Sequence, residues 1–318
     1  MLRITPLLAA LAFLAGTSGA AAQEKLSVVA TFSILGDLAR QIGGEAIDLR
    51  VLVGPEQDAH GYDPRPEDQK SVAAAEVLIA NGLGFESWLE RLSESAGFAG
   101  RLVIATEGIT ALPWREEHGD EHSGEEHAGE AHAGEDHDSE HDHGSFDPHA
   151  FQDAQLVLTY VDNIASGLAA ARPDLAEKFH HNANELKQSF AALDAELKTA
   201  LGALPANQRR VLTSHDAFSY FGRAYGIAFV GIQSAGMDDE PTAQDLRDVI
   251  EAIENQQIRA VFLENMTDPR FVETLARDTG IRIGGTLYAD ALSGPDGPAP
   301  DLLSLFRHNQ RELLKALQ

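Results

Sequence analysis

The segment 122–144, HSGEEHAGEAHAGEDHDSEHDHG, concentrates histidine and acid. Positions 116–143 hold seven of the 13 histidines of the chain and twelve acidic residues, but no Lys or Arg. Imidazole and carboxylate groups together indicate binding of a divalent metal. A segment this polar is expected to be disordered, and ordering it costs about 1–2 kcal/mol per residue. It therefore predicts several weak, auxiliary metal sites rather than a tight one, with the ligands His118, His122, His127, His132, His137, His141 and His143.

A tighter metal site is predicted where several predicted strands end. Alternating strand and helix patterns indicate parallel sheets, and ligands of such folds bind at the carboxyl ends of the strands. Alone, each candidate has an ordinary interpretation: a surface histidine, a turn aspartate, or a buried glutamate paired with arginine. Their joint position at strand ends favours metal binding. The candidates are His60 after strand 46–53, His149 before helix 153–171, His215 after strand 209–213, Glu264 at the end of strand 259–263, and Asp290 after strand 282–287.

The elements that must position these residues fall into two series. Strands are predicted at 25–32, 46–53, 76–80 and 101–106, and again at 209–213, 227–232, 259–263 and 282–287. Helical patterns lie between them, and a long helix is predicted at 174–203. The fold class is therefore α/β, with two lobes that each contain a four-stranded, mainly parallel sheet. The predicted boundaries are an N-terminal lobe at 23–173, which includes the histidine-rich segment 116–144, a linking helix at 174–203, and a C-terminal lobe at 204–318.

Composition restricts the kinds of chemistry and partner. The chain has 318 residues, of which 43% are hydrophobic, so it can bury more than one sizeable core. It contains no cysteine, which excludes disulfides, thiolate metal sites and thiol nucleophiles. A net charge of −26 argues against nucleic acid or an anionic membrane as a partner.

The first 22 residues have the pattern of a secretory signal peptide. Arg3 precedes an apolar run at 7–15, and small residues end in the triplet 20–22. The run is too short to span a bilayer as a helix. Cleavage is expected near Ala22, and a free exported binding protein is expected in a periplasm.

Several ordered motifs resemble one family, the zinc- and manganese-binding periplasmic solute-binding proteins of ABC importers, and the chain is most similar to its zinc-specific members. The resemblance covers essentially the whole mature chain and includes an acidic, histidine-rich insertion. It implies two α/β lobes joined by one rigid helix, with the metal in the cleft between them. The motifs are DAHGYDPRPED (58–68), DPHAFQD (147–153), SHDAFSYFGRAYGI (214–227), DEPTAQDL (239–246), FLENMTDP (262–269) and LYADAL (287–292).

The resemblance also implies a set of ligands. His60, His149 and His215 correspond to nitrogen ligands and Asp290 to an oxygen ligand, with Glu264 as the alternative fourth ligand or as a partner behind a ligand. Three imidazoles and one carboxylate suit tetrahedral Zn²⁺, whereas manganese prefers oxygen-rich sites. Relatives that resemble manganese carriers have a carboxylate where His215 stands, so this residue favours zinc.

The expected function is high-affinity capture of periplasmic zinc and its delivery to a membrane permease. The transported Zn²⁺ is the only ligand expected. The chain is expected to be a monomer and not an enzyme, with a metallochaperone as a possible partner of the histidine-rich segment. Three alternatives stay open: a secreted zinc hydrolase, which no HExxH or GxSxG motif supports, a manganese-binding protein, and a passive zinc buffer.

Overall fold

The computed structural model describes residues 24–114, 146–233, 243–255 and 257–318, and it contains two four-stranded sheets. The predicted fold class is confirmed. The first sheet consists of β1 (Leu26–Phe32), β2 (Ile47–Val53), β3 (Val77–Ala80) and β4 (Arg101–Ile104). The second consists of β5 (Arg210–His215), β6 (Ala228–Gln233), β7 (Ala260–Glu264) and β8 (Arg282–Leu287).

Helices flank both sheets. In the first lobe they are α1 (Ser33–Gly43), α2 (Pro66–Ala74), α3 (Leu89–Ala96) and α4 (Val157–Ala171). The long helix α5 (Ala176–Gly202) follows a single 3₁₀ turn, Pro173–Leu175, and leads into the second lobe. There the helices are α6 (Ser219–Tyr225), α7 (Ala243–Asn255), α8 (Arg270–Thr279) and α9 (Leu302–Leu317).

The two sheets share one topology. The strand orders are β2-β1-β3-β4 and β6-β5-β7-β8, and every pairing is parallel. In each sheet the first strand in the chain therefore lies between the second and the third. All strands of a sheet end at the same edge, and this is the edge where ligands of parallel sheets bind.

Local sequence explains the main elements. Strand β3, VLIA, is buried at every position, as expected for a parallel strand covered on both faces. Helix α2 begins at Pro66, and the Asp68 carboxylate accepts a hydrogen bond from the backbone N–H of Arg65. Helix α9 is capped by Asp301, whose carboxylate accepts a hydrogen bond from the backbone N–H of Ser304.

The main hydrophobic core runs through both lobes. It includes residues of β1 and α1 from the first lobe, of α5, and of α6 and α9 from the second. A smaller core on the second sheet lies under α7 and α8 and contains Leu212, Val249, Ile258, Val261, Val272 and Leu275. The shared core means that α5 does not join two independent bodies, because its apolar face is packed along its length.

Three predicted boundaries differ from the structure. The apolar pattern predicts a helix over 85–95, but α3 begins at Leu89. The chain turns through positive φ at Gly82, Leu83 and Gly84 and buries Phe85 before the helix starts. Helix α4 begins at Val157 instead of 153, after a 3₁₀ turn. His215 is the last residue of β5 rather than a loop residue.

Two predicted features fall on residues that the structure does not describe. They are the signal peptide at 1–22 and the histidine-rich segment at 116–144, with its seven auxiliary histidines. Within the described residues, no helix is long and apolar enough to cross a membrane.

Candidate metal centre between the lobes

The candidate ligands come from four places on the carboxyl edges of the two sheets. His60 lies in the loop after β2, and His149 directly precedes the 3₁₀ turn Ala150–Gln152. His215 ends β5, and Asp290 lies in the segment after β8. His149, His215 and Asp290 are at most 1% exposed, and the side chain of His60 is 15% exposed. Three of the four candidate ligands are thus shielded from solvent, and His60 is the most accessible of the four.

The donor atoms of these side chains converge between the lobes. Ligand atoms of His60, His149 and Asp290 all lie within 4.8 Å of one another. The Nε2 atom of His60 is 3.2 Å from Nε2 of His149 and 3.3 Å from Oδ2 of Asp290. The Nε2 atom of His149 is 3.5 Å from the other carboxylate oxygen, Oδ1 of Asp290.

His215 joins this group through Asp290. Its Nε2 atom is 3.1 Å from Oδ2 of Asp290, and its ring centroid is 5.8 Å from that of His149. The Nδ1 atom of His215 lies 2.5 Å from Oε2 of Glu264, on the opposite side of the ring. Glu264 also accepts hydrogen bonds from the backbone N–H of His215 and from the hydroxyl of Ser214. Glu264 therefore lies behind His215, not beside Asp290.

The spacing of the donors has the dimensions of a metal site. Four ligands at Zn–N or Zn–O distances of about 2.0–2.1 Å in a tetrahedron lie about 3.3–3.4 Å apart. The contacts between the Asp290 carboxylate and the Nε2 atoms of the three histidines, at 3.1, 3.3 and 3.5 Å, bracket this value. Within the described residues, the contact of 3.5 Å from Nε2 of His149 is long for a hydrogen bond, and the buried Oδ1 atom of Asp290 has no shorter one. A buried carboxylate oxygen with so weak a donor contact is a suitable ligand for a cation.

A D-x-H pattern positions both first-lobe histidines. The Oδ1 atom of Asp58 accepts a hydrogen bond of 2.8 Å from the backbone N–H of His60. The Oδ1 atom of Asp147 accepts a bond of 2.9 Å from the backbone N–H of His149, and it also lies 2.8 Å from Nδ1 of that ring. This second contact leaves Nε2 of His149 pointing into the site. Carboxylates that hold the far nitrogen of a ligating histidine raise its basicity and fix its orientation.

A buried polar network holds the backbone on either side of His149. The side-chain amide of Asn81 donates to the carbonyl of Pro148 (2.9 Å), and the hydroxyl of Tyr160 donates to Oδ1 of Asn81 (2.8 Å). Gln152 donates to the carbonyl of Ala289 (2.6 Å), directly before Asp290. The segment that carries His149 is therefore bonded to the segment that carries Asp290.

Tyr220 connects the lobes at the back of the site. Its hydroxyl donates to the carbonyl of Asp147 (2.9 Å) and accepts from the backbone N–H of Leu112 (2.9 Å). The backbone N–H of Asp147 in turn donates to the carbonyl of Leu112 (2.9 Å). Tyr220 lies on α6, which follows His215, so it links the two lobes close to a histidine of each.

Sequence reasoning missed the residues that act behind the ligands. Asp147, Asn81, Gln152 and Tyr220 were not identified as positioning groups. The repeated D-x-H spacing at 58–60 and 147–149 was a usable signal, because an aspartate two residues before a histidine can accept its backbone N–H. Asn81 and Tyr220 gave no comparable signal, since only the fold brings them to the site.

Neighbouring charges shift the pKa values of three candidate ligands, His149, His215 and Asp290. Burial lowers the pKa of His149, but the carboxylates of Asp290 and Asp147 outweigh it and raise the pKa to about 9. Burial also opposes protonation of His215, and the Glu264 and Asp290 carboxylates raise its pKa well above 6.5. Burial raises the pKa of Asp290, but the facing histidines hold it well below 3.8. The carboxylates therefore stabilise positive charge at the position where the ligand atoms converge.

The remaining histidines of the described chain lie away from this centre. His180 and His181 lie on α5 and His308 on α9, as predicted. Nε2 of His308 is 2.8 Å from the carbonyl of Thr286. Asp216 directly follows His215, and its carboxylate accepts a hydrogen bond from the hydroxyl of Ser219, the first residue of α6.

Known proteins resemble this chain over nearly its whole length. The chain is 32% identical over 282 residues to the iron-binding protein YfeA of Yersinia pestis, covering 89% of this chain and 83% of that protein. It is 31% identical over 286 residues to the manganese-binding lipoprotein MntA of Halalkalibacterium halodurans, covering 90% and 86%.

Solved structures of similar fold include two metal-binding proteins. The periplasmic zinc-binding protein TroA of Treponema pallidum superposes with a TM-score of 0.80 and 25% identity, covering 92% of this chain and 99% of that one. A manganese-bound periplasmic metal-binding protein of Candidatus Liberibacter asiaticus superposes with a TM-score of 0.76 and 23% identity, covering 93% and 100%. The second likeness concerns the fold alone.

The sequence profile of one family matches residues 28–316, and that family is described as "Zinc-uptake complex component A periplasmic". The chain therefore belongs to this family of periplasmic metal-binding proteins, whose members are the solute-binding components of ABC importers and not enzymes.

Proposed function

We propose that this protein captures Zn²⁺ between its lobes and delivers it to the membrane permease of an ABC importer. The ligands are Nε2 of His60, His149 and His215 and the carboxylate of Asp290. The observation that carries the proposal is the convergence of three imidazole nitrogens on one buried carboxylate, at 3.1, 3.3 and 3.5 Å. Glu264 acts behind His215 and not as the fourth ligand.

Zinc is favoured by the chemistry of the donors. Three nitrogens and one carboxylate make a small, nitrogen-rich set, which suits tetrahedral Zn²⁺ better than manganese. Asp147 and Glu264 contact the far nitrogens of two ligands, as carboxylates do in many zinc sites.

Manganese is the second candidate, because several relatives carry manganese in their names. Binding constants measured on the purified protein do not decide which of the two metals is transported. Most nitrogen and oxygen sites bind zinc more tightly than manganese, and copper more tightly still, whatever their role in the cell.

The proposal divides the chain as its sequence suggests. Residues 1–22 direct export to the periplasm, 23–173 and 204–318 form the lobes, and 174–203 link them. The histidine-rich segment 116–144 collects zinc weakly beside the cleft and raises the local supply of metal, or it receives metal from a metallochaperone. The mature protein acts as a monomer.

Radioactive uptake in the native cell tests the proposal. Deletion of the gene is expected to lower accumulation of ⁶⁵Zn at low external zinc and to leave ⁵⁴Mn accumulation unchanged. Plasmid-borne protein restores ⁶⁵Zn uptake, and a His215→Ala variant does not. Loss of ⁵⁴Mn uptake instead would assign the protein to manganese. Unchanged uptake of both isotopes, with zinc still bound by the purified protein, would make it a passive buffer.

A further inference from the structure

The loop between β2 and α2 touches the second lobe at one exposed side chain, Glu56. Its backbone N–H donates to the carbonyl of Leu292 (3.0 Å). Its carboxylate accepts hydrogen bonds from the amide of Asn265 through Oε2 (3.2 Å) and from the hydroxyl of Tyr288 through Oε1 (3.4 Å). One residue of the first lobe thus contacts two separate segments of the second.

Each contact lies close in the chain to a residue of the metal centre. Glu56 precedes His60 in the same loop, Asn265 follows Glu264, and Leu292 follows Asp290. The amide of Asn265 also approaches the carbonyl of Ala291 at 3.4 Å. Movement of Glu56 away from these partners would draw the loop that carries His60 away from the segment that carries Asp290.

The backbone at Glu56 adopts a conformation that is uncommon for its residue type. Its φ is +58°, in the left-handed region that non-glycine residues rarely adopt. Such a conformation persists only when surrounding contacts hold it, and it is found disproportionately at ligand clamps and switch regions. In this loop the contacts that hold it come from the opposite lobe.

Two other bonds between the lobes differ from the Glu56 carboxylate contacts in exposure. Leu292 N–H donates to the hydroxyl of Ser33, and Leu302 N–H donates to the carboxylate of Asp37, and both bonds are buried. Breaking a buried bond leaves polar groups without partners, which is costly. The carboxylate of Glu56 can exchange its protein donors for water, so it separates from the second lobe at lower cost.

We propose that Glu56 is a latch across the mouth of the cleft and sets how long the bound metal is retained. It holds the His60 loop against the Asp290 segment without touching the metal. The proposal deepens the proposed function, because retention of metal by a delivery protein must be strong during diffusion and reversible at the permease. A docking partner can release the latch by competing for the exposed carboxylate.

The first test is the rate of zinc release from the purified mature protein into a colorimetric chelator, followed by stopped flow. Glu56→Ala is expected to raise the release rate about tenfold, since exposed hydrogen bonds to a charged group contribute modestly. Glu56→Gln keeps an oxygen acceptor and is expected to restore most of the retention. Gln57→Ala is the matched control, because Gln57 accepts a bond from Gly54 N–H within the same loop.

A double-mutant comparison isolates the cross-lobe contact. Asn265→Ala is expected to speed release, and Glu56→Ala combined with Asn265→Ala is expected to be little faster than Glu56→Ala alone. Fully additive effects, or a release rate of Glu56→Ala within twofold of the parent, would overturn the latch.

Hydrogen exchange tests the latch without metal. In the metal-free protein, a peptide covering residues 54–61 is expected to exchange about tenfold faster in Glu56→Ala than in Gln57→Ala. Equal exchange in the two variants would overturn the latch whether or not the protein binds zinc. Failure of the proposed function would appear separately, as absence of zinc binding by the parent protein.

Discussion

The Nε2 atom of His60 and the Oδ2 atom of Asp290 lie 3.3 Å apart, although one belongs to the first lobe and the other to the second. This contact crosses the cleft at its partly exposed side, whereas His149 and His215 lie deeper. The two lobes therefore share the site, and neither holds all four candidate ligands alone. A metal bound there would bridge the lobes and favour the closed arrangement.

Zinc binding is expected to release protons. At pH 7 the pKa of His149, about 9, leaves its ring protonated, and the pKa of His215 is also raised. Both rings must become neutral to bind metal, so protons leave as zinc binds, and the affinity rises as the pH approaches the pKa of His149, about 9. Calorimetry in buffers of different ionisation enthalpy counts these protons. Zero proton release at pH 7 would contradict the ligand assignment.

The stability of the metal-free protein is expected to depend on pH in the opposite sense. Folding raises the pKa of His149 from 6.5 to about 9, so its contribution is full below about 6.5 and is lost as the pH rises through about 9. Thermal unfolding should therefore show a lower Tm at pH 9.5 than at pH 6.5 without metal. Zinc-saturated protein should not follow this decrease, because a metal replaces the protons.

Replacement of His215 is expected to remove tight binding. His215→Ala deletes one of four donors and should weaken zinc binding at least about a hundredfold. His181→Ala, on the exposed face of α5, is the matched control and should bind as the parent does. Competition with a chelator of known affinity measures both. Retention of tight binding by His215→Ala, with its fold intact by circular dichroism, would exclude this histidine from the site.

The two D-x-H aspartates are expected to differ in importance. Asp147→Asn removes the charge next to Nδ1 of His149 and should weaken zinc binding about 10- to 100-fold. Asp58→Asn changes only bonds to the backbone N–H groups of His60 and Gly61 and should have a smaller effect. Equal losses of zinc affinity in the two variants would mean that the aspartates act by holding the loop conformation and not by raising the basicity of the histidines.

Much of this architecture could be predicted from the sequence. A buried strand such as β3 is a short run of apolar residues, and the buried face of α5 is a set of apolar residues at helical spacing. Both hydrophobic patterns can be recognised in the sequence without knowledge of the fold. The boundaries near the site were less predictable, because tertiary packing of Phe85 and the turn before it override the helical pattern. The family assignment confirms that the chain is a solute-binding protein and not an enzyme.

The candidate ligands could be chosen from the sequence, but the residues that position them could not. Histidines and acids at strand ends can be found in a sequence, since strand topology gathers them at one edge. The role of Glu264 was left open between ligand and partner, and only the position of its carboxylate at Nδ1 of His215 separates the two. Tyr220 carries no sequence signal of its role, because its bonds to Leu112 and Asp147 depend on how the lobes meet.

Tyr220→Phe is expected to loosen the back of the site. The change deletes two hydrogen bonds and leaves the N–H of Leu112 and the carbonyl of Asp147 without this partner, at a cost of about 1–3 kcal/mol. Tyr225→Phe on the same helix removes the hydrogen bond from Ala154 N–H and is the comparison variant. Urea unfolding measures both costs. Only Tyr220→Phe should also weaken zinc binding, and equal zinc affinities in the two variants would contradict this role.

Excision of residues 116–144 is expected to lower zinc stoichiometry and to keep one tight site. The described residues on either side of the segment lie close together, since Pro113 and Phe146 form an antiparallel bridge and the backbone N–H of Asp147 donates to the carbonyl of Leu112, so a short turn can join them. Native mass spectrometry at increasing zinc counts the bound ions. Loss of the tight site in a folded deletion variant would mean that this segment supplies a ligand.

A crystal structure of the zinc-loaded protein, with anomalous scattering recorded at the zinc edge, tests the central claim most directly. The account predicts one strong peak between the lobes, about 2.0–2.2 Å from Nε2 of His60, His149 and His215 and from a carboxylate oxygen of Asp290. A peak bound by Glu264 in place of Asp290, or one without a nitrogen from His215, would contradict it.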